Sequence, residues 1–198
     1  MDFDTEKKKY LDKLFKPDHS KKGEVDKEII PLLDAINARK GYYTTSSCAG
    51  RIVILEKDDA GKRKDCRWLF VSHLPVADAR EVSAVLQHPG TKQAWLKMES
   101  FIVHICARDI GAAKRLLEMA RICGLKRAGI VSFSERIIIE VIGNEAMELL
   151  IAEKGKLLVT DEYLERTISA ANAKLKRNAE KMEEFRRVVL QSRELFMP

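Results

Sequence analysis

The 198-residue sequence predicts an α+β fold: a single domain with a mixed β-sheet flanked by helices and a long C-terminal helix, and not a Rossmann fold. Three observations carry that expectation. Apolar segments of strand and helix period interleave without the strict βαβαβ alternation of a doubly wound sheet. The ten glycines include no G-x-G pair, so the fingerprint of a Rossmann phosphate-binding turn is missing. From Asp161 to about Leu195 one apolar stripe (Leu164, Ile168, Ala171, Leu175, Met182, Phe185 and Val189) keeps helical spacing.

Each element has its own signal. Residues 5–15 suit a short helix through Tyr10, Leu11, Leu14 and Phe15, and "KPDHSKKGEVD" reads as a loop. Val25, Ile29, Leu32, Leu33 and Ile36 follow helical spacing, and Pro31, which lacks a backbone donor, should kink or split that helix before Gly41 stops it. Residues 51–57 read as a strand, "DDAGKRKD" as a turn and "CRWLFVSH" as a second strand, the two forming a hairpin. "VADAREVSAVLQHPG" is weakly helical and ends at Pro89-Gly90, and "AWLKMES" and "FIVHICA" read as strand, turn and strand. Asp109 is an N-cap for a helix that buries Ala112, Ala113, Leu116, Leu117, Met119, Ala120 and Cys123 and stops at Gly124. "AGIVSFS" and "RIIIEVIG" are two strands about a Ser-Glu turn, and Thr160-Asp161 caps the last helix. The whole chain, 1–198, then forms one domain, with a basic N-terminal segment over 1–22 and the C-terminal helix over 161–195.

Composition removes several function classes. Hydrophobic residues make up 45% of the chain, too many for a disordered protein. No apolar run reaches the ~18 residues needed to cross a bilayer. The N-terminal "MDFDTEKKKYLDKLF" has no apolar core of the kind a signal peptide requires, so a soluble, cytoplasmic protein is expected. Cys48, Cys66, Cys106 and Cys123 form no C-x-x-C pair and the four histidines no H-x-x-x-H. No metal site is expected, and the cysteines read as free thiols with Cys106 and Cys123 in the core. A P-loop and the G-x-S-x-G elbow of serine hydrolases are also missing.

Thirty-six Lys and Arg stand against thirty Asp and Glu, a net charge of +6. The excess is gathered: Lys7, Lys8, Lys9, Lys13, Lys16, Lys21 and Lys22; then Lys62, Arg63, Lys64 and Arg67; then Lys174, Lys176, Arg177 and Lys181. Alone each cluster reads as a solvated face. Flanking a hydroxyl-rich stretch, they favour an anionic partner.

That stretch is "YYTTSSCAGRIVILEK", residues 42–57. Ser46, Ser47, Cys48 and Arg51 stand at the start of one expected strand, Ser72 and His73 at the end of its hairpin partner. In an antiparallel hairpin those ends are neighbours. Hydroxyls, an imidazole and a guanidinium should therefore converge. Plainer readings stand beside this one. Ser46 and Ser47 fit a turn or a strand edge, His73 a surface histidine beside Pro75, and His104, among Ile102, Val103 and Ile105, a core histidine bonded to a backbone carbonyl.

The stretches "YYTTSSCAGRI", "WLFVSH", "LKMESFIVHICAR" and "ANAKLKRNAEKMEEF", in that order and after "FKPDHSKKGEVDKEIIPLLDAIN", resemble the tRNA wybutosine-synthesising protein 3 family, its archaeal members in particular. The resemblance runs from about Phe15 to Phe185, and S-S-C-x-G-R is its most specific part. It implies an S-adenosylmethionine-dependent methyltransferase with a cofactor site that is not of the Rossmann kind. Such enzymes methylate ring N4 of the wyosine-type tricyclic guanosine beside the anticodon of phenylalanine tRNA, in wybutosine-derivative biosynthesis. Carried over by motif, Ser46, Ser47, Cys48, Gly50 and Arg51 form the signature loop. Ser72 and His73 match the family's S-H pair, His104 its strand histidine, and Asn172, Lys174 and Asn178 its N-x-K-x-x-x-N. Two departures stand out: Asp65-Cys66-Arg67 precede Trp68 where many members have a glycine pair, and "ES" before Phe101 replaces the usual Glu-Pro.

A methyl sulfonium is already electrophilic, so the protein's task is to place it in line with the acceptor nitrogen. By ordinary pKa a neutral His73 is the best-matched base for the nitrogen's proton. Ser46, Ser47 and the loop's backbone N–H groups suit a cofactor carboxylate or an RNA phosphate, with Arg51 pairing bidentately. Small residues from Ser47 to Gly50 admit the ligand, and Cys48 need not act as a nucleophile. Lys62, Arg63, Lys64, Arg67, Lys176, Arg177 and Lys181, with Lys174, are the expected phosphate contacts. The alternative is a non-catalytic tRNA- or RNA-binding module, for which the basic clusters and Trp68 would suffice.

Overall fold

Nine strands and five α-helices organise the described residues (2–14, 16, 24–57, 66–73, 77–86 and 90–195) of this computed structural model. In chain order they are α1 (Phe3–Leu11), α2 (Ile30–Asn37), β1 (Tyr42–Cys48), β2 (Arg51–Lys57), β3 (Arg67–Ser72), α3 (Ala79–Val85), β4 (Gln93–Glu99), β5 (Ile102–Ala107), α4 (Ile110–Ile122), β6 (Gly129–Phe133), β7 (Ile137–Ile142), β8 (Met147–Glu153), β9 (Lys156–Leu157) and α5 (Asp161–Leu195). The α+β class and the long last helix are as the sequence predicts. The strands divide between two sheets, every neighbouring pair antiparallel, and no parallel Rossmann sheet forms. Backbone packing groups the chain into two compact units: Met1–Ala49, Phe101–Asn144 and Ala179–Pro198 in the first, Gly50–Ser100 and Glu145–Asn178 in the second.

The first unit holds the sheet β1-β5-β7-β6. One face of it, with Val103, Ile105, Ile139 and Val141, is buried with Leu32, Leu33 and Ile36 of α2, Ala112, Leu116 and Ala120 of α4, and Met182, Phe185 and Val189 of α5. Each large aliphatic removed from water there stabilises by about 1.5–3 kcal/mol. Pro31 lies in the first turn of α2, where no backbone donor is needed, so it starts the helix after a 3₁₀ turn at Lys27–Ile29 instead of kinking it. Asp109 caps α4 by accepting from Ala112 N at 2.7 Å, and Gly124 at φ 71° ends it. The run "YYTTSSC" is itself a strand, consistent with the strand preference of Tyr and Thr.

The second unit holds the sheet β3-β2-β4-β8-β9. The expected β2–β3 hairpin is present, with Ile52 opposite Ser72. Ile52, Ile54, Leu96, Met98 and Ile151 pack with Val82 of α3 and with Leu164, Ile168, Ala171 and Leu175 of α5. The oxygen Thr160 Oγ1 accepts from Tyr163 N at 3.2 Å and caps α5 as expected. Strand β8 has no counterpart in the sequence reading. Its hairpin to β9 turns through Lys154 (φ 51°) and Gly155 (φ 76°), the paired left-handed residues of a two-residue hairpin turn. Phe15, Pro75, Pro89, the turn "DDAGKRKD" and most of "KPDHSKKGEVD" lie outside the described residues.

Candidate functional site

A β-bulge decides where the signature residues point. Tyr42 and Thr44 pair with Ala107 and Ile105, on the core side of the first sheet. The register then shifts, Thr45 being the extra residue, and Ser46 comes opposite His104, Ser47 opposite Val103 and Cys48 opposite Ile102. Strand side chains alternate with period two, so without the shift Ser46 would share the core face with Tyr42 and Thr44. The bulge turns Ser46 and Cys48 onto the opposite face, with His104.

There Ser46 Oγ lies 2.9 Å from His104 Nδ1, and His104 Nε2 lies 3.1 Å from Glu140 Oε2. The side chains of His104 and Glu140 are 29% and 30% exposed, so the row is open to a ligand. An ionised carboxylate can only accept, so in neutral His104 the proton sits on Nε2, Nδ1 is the acceptor, and the Ser46 hydroxyl donates to it. His104 is thus not the carbonyl-bonded core histidine of the plainer reading. One row along, Tyr43 and Cys106 face each other, and α1 covers them: Phe3 and Tyr10 lie 5.1 and 5.0 Å from the Tyr43 ring. Burial, then hydrogen bonds to Cys106 and Glu6, push the Tyr43 hydroxyl well above its ordinary range, so it stays protonated. At the end of β1, Asp26 Oδ2 accepts from Ala49 N at 2.9 Å.

The other expected residues, Lys181 apart, belong to the second unit. Gly50, at φ 90°, breaks the strand, a conformation open to glycine without strain. The expectation that Ser46 to Arg51 begin one strand is corrected accordingly: Ser46, Ser47 and Cys48 end β1, which pairs with β5, and Arg51 begins β2. The hairpin does bring Arg51 to the same strand ends as Ser72 and His73. Arg51 Nε donates to Glu99 Oε2 at 2.8 Å, and its guanidinium stacks 4.2 Å over the Trp68 ring. The terminal amino groups keep the other donors of its fork. Ser72 Oγ donates to the His73 carbonyl at 3.0 Å, and His73 Nε2 is buried.

On α5, Asn172 accepts from Ala77 N at 3.0 Å and donates to Ala77 O at 2.9 Å, and Asn178 is buried. Lys174 and Arg177 both hold Glu145, at 3.0 and 2.8 Å. The Arg177 hydrogen bond, then that of Lys174, pulls the Glu145 carboxyl down to about 2. Lys181 pairs with Glu184, Lys176 is exposed, and Arg67 is 76% exposed with Nη1 3.9 Å from Glu56 Oε2. Lys62, Arg63 and Lys64 lie outside the described residues. Sequence reasoning missed the acids that order these groups: Glu99, Glu140 and Glu145. Glu140 alone left a signal, as the single charge within the apolar run "IIIEVI".

The sequence profile of the family described as Methyltransferase TYW3 matches residues 5–191. The chain is 38% identical over 166 residues (83% of this chain and 85% of the other) to the tRNA(Phe) 7-((3-amino-3-carboxypropyl)-4-demethylwyosine(37)-N(4))-methyltransferase 1 of Pyrococcus abyssi. It is 36% identical over 176 residues (87% and 68%) to the tRNA wybutosine-synthesizing protein 3 homolog of Mus musculus. The solved PH1069 protein of Pyrococcus horikoshii superposes with a TM-score of 0.85 at 33% identity, covering 95% of this chain and 96% of that one. By the profile match over residues 5–191 and by these identities, this chain belongs to the TYW3 methyltransferase family.

Proposed function

We propose that the chain is an S-adenosylmethionine-dependent tRNA methyltransferase that adds a methyl group to ring N4 of the wyosine-type tricyclic guanosine beside the anticodon of phenylalanine tRNA. The observation that carries this reading is the bulge in β1, which sets Ser46 of the family's most specific motif in an open hydrogen-bonded row with His104 instead of in a turn. The activity belongs to the whole chain, 1–198, as one catalytic domain acting in the cytoplasm. Among the described residues no helix is long and apolar enough to cross a membrane.

The residues fit the cofactor. When bound, S-adenosylmethionine supplies an electrophilic methyl on a sulfonium, beside a carboxylate that needs a fixed cation. Arg51 is such a cation, held through Nε and the Trp68 face with its terminal amino groups left for an anion. Gly50 at positive φ, with Ser47 and Cys48 before it, keeps the backbone N–H groups free of bulk. Ser72 and Asn178 complete the cofactor and substrate contacts, while Asn172 and Lys174 hold the chain that carries them. Lys176, Arg177, Lys181 and Arg67, with Lys62, Arg63 and Lys64, take the tRNA phosphates. Each unit offers one imidazole for the proton released by the acceptor nitrogen: His73 in the second, favoured by its place in the motif, and His104 in the first.

Titration calorimetry with S-adenosylmethionine and, separately, with phenylalanine tRNA tests this reading. Saturable binding of both is the expected result. Binding of tRNA with no heat from the cofactor would leave a non-catalytic RNA-binding module and remove the enzyme.

A further inference from the structure

From the row Ser46–His104–Glu140 we infer a proton relay that serves the methyl transfer, with Glu140 as a positioning residue that the motif does not include. The inference rests on the proposed activity and assigns its proton step to one side of the first sheet. The order of hydrogen bonds carries it. Glu140 Oε2 lies 3.1 Å from Nε2, so it accepts that ring proton and leaves Nδ1 as the acceptor facing Ser46 Oγ at 2.9 Å. Ser46 donates inward, and its lone pairs point outward. Its exposed oxygen therefore receives an N–H and not an anion, the reverse of the donor role that a hydroxyl-rich loop suggests. A serine pressed against an imidazole whose far nitrogen is held by a carboxylate is the arrangement that activates a hydroxyl as a proton acceptor.

The step balances. As the acceptor nitrogen forms its bond to the methyl carbon, the carbon–sulfur bond breaks, and its electron pair returns to sulfur to leave a neutral thioether. The N–H bond of the acceptor gives its proton to Ser46 Oγ, while the Ser46 hydroxyl proton passes to His104 Nδ1. The imidazolium is held by the Glu140 carboxylate and gives its proton to solvent through a ring that is partly exposed. The bulge at Thr45 supplies the geometry, and Thr45 Oγ1 fixes it by donating to the His104 carbonyl at 3.3 Å. His73, whose Nε2 is buried, then serves binding and not proton transfer.

The test has two arms on the full chain. The first is the nitrogen-15 spectrum of the His104 ring: Nε2 protonated and Nδ1 unprotonated in the wild type, mixed tautomers in Glu140→Leu. A proton resident on Nδ1 in the neutral wild-type ring would overturn the relay. The second arm is single-turnover methyl transfer at saturating S-adenosylmethionine and tRNA. Ser46→Ala, a change at an exposed site, should lower the rate by ~10²–10⁴ with both affinities unchanged. Glu140→Gln, which keeps an acceptor but loses the charge that holds the imidazolium, should lower it by roughly tenfold or more, and Glu140→Asp should recover part of it. Full-rate transfer by Ser46→Ala beside an active wild type overturns the relay alone. No transfer by the wild type overturns the proposed activity itself.

Discussion

Removing the Asn172 side chain should destabilise the protein by an amount set by two bonds. Its carboxamide accepts from Ala77 N at 3.0 Å and donates to Ala77 O at 2.9 Å, so it pairs with that residue as a neighbouring strand would. Ala77 is 5% exposed, and in Asn172→Ala both of its backbone groups lose their partner. A buried polar group left unpaired costs about 1–3 kcal/mol. Asn172 itself is only half-buried, so water reaching the gap offsets part of that, and about 2–3 kcal/mol of net loss is expected. Urea unfolding is the assay. With a slope of about 2 kcal/mol per molar, the midpoint should fall by roughly 1–1.5 M with the slope unchanged. A loss below about 0.5 kcal/mol would place the change among ordinary surface substitutions and refute the pairing. The result bears on the site as well, because Ala77 is where the chain that follows Ser72 and His73 is anchored to α5.

Acid should separate Glu145 from its alanine variant. Its folded pKa lies at about 2 against an ordinary 4.5, so its contribution is full above 4.5 and is lost as pH falls through 2. Arg177 is half exposed, so the gap between wild type and Glu145→Ala in urea unfolding should be only about 1 kcal/mol at pH 6 and should close between those two values. In Gly90→Ala the new Cβ would lie 1.6 Å from Glu56 Oε1 and 2.6 Å from its Cδ, with Glu56 itself buried. Thermal unfolding should show a loss of about 1–3 kcal/mol, and an unchanged midpoint would mean that the Glu56 carboxylate moves aside freely. Burial pushes the Cys123 thiol up to about 11 and also raises that of Cys106, whereas Cys48 and Cys66 are partly exposed. Iodoacetamide at neutral pH should therefore label Cys48 and Cys66 first, read by peptide mass spectrometry; early labelling of Cys123 would contradict its burial. Cys48→Ser should retain most methyl transfer while Arg51→Ala loses it through weaker cofactor binding, and an inactive Cys48→Ser protein with normal affinities would make the thiol a participant.

What could be read from the sequence was local. Asp109 and Gly124 bracket α4 because capping and left-handed stops act within a few residues, and the hairpin of β2 and β3 follows from two apolar runs about a polar turn. The stripe from Leu164 to Val189 ran true because one helical period holds along the whole of α5. Strand β8 escaped because "MELLIAE" is made of good helix formers, and its place beside β4 overrides that preference. The bulge in β1 escaped for a related reason: register there is set by pairing with β5, far along the chain. Hence Ser46 was expected at the start of the strand that holds Arg51, whereas it lies near the end of β1, opposite His104. The acids Glu99, Glu140 and Glu145 meet partners 48, 36 and 29 residues away, a distance at which composition carries no pairing information.

Methyl transfer to one ring nitrogen of a modified guanosine is the reaction proposed for this chain. Phenylalanine tRNA taken from a strain lacking the enzyme, incubated with the purified chain and labelled S-adenosylmethionine and then digested to nucleosides, tests it most directly by mass spectrometry. The tricyclic guanosine beside the anticodon should gain one labelled methyl, placed at N4 by fragmentation. A nucleoside of unchanged mass, or a methyl on any other atom, would contradict it.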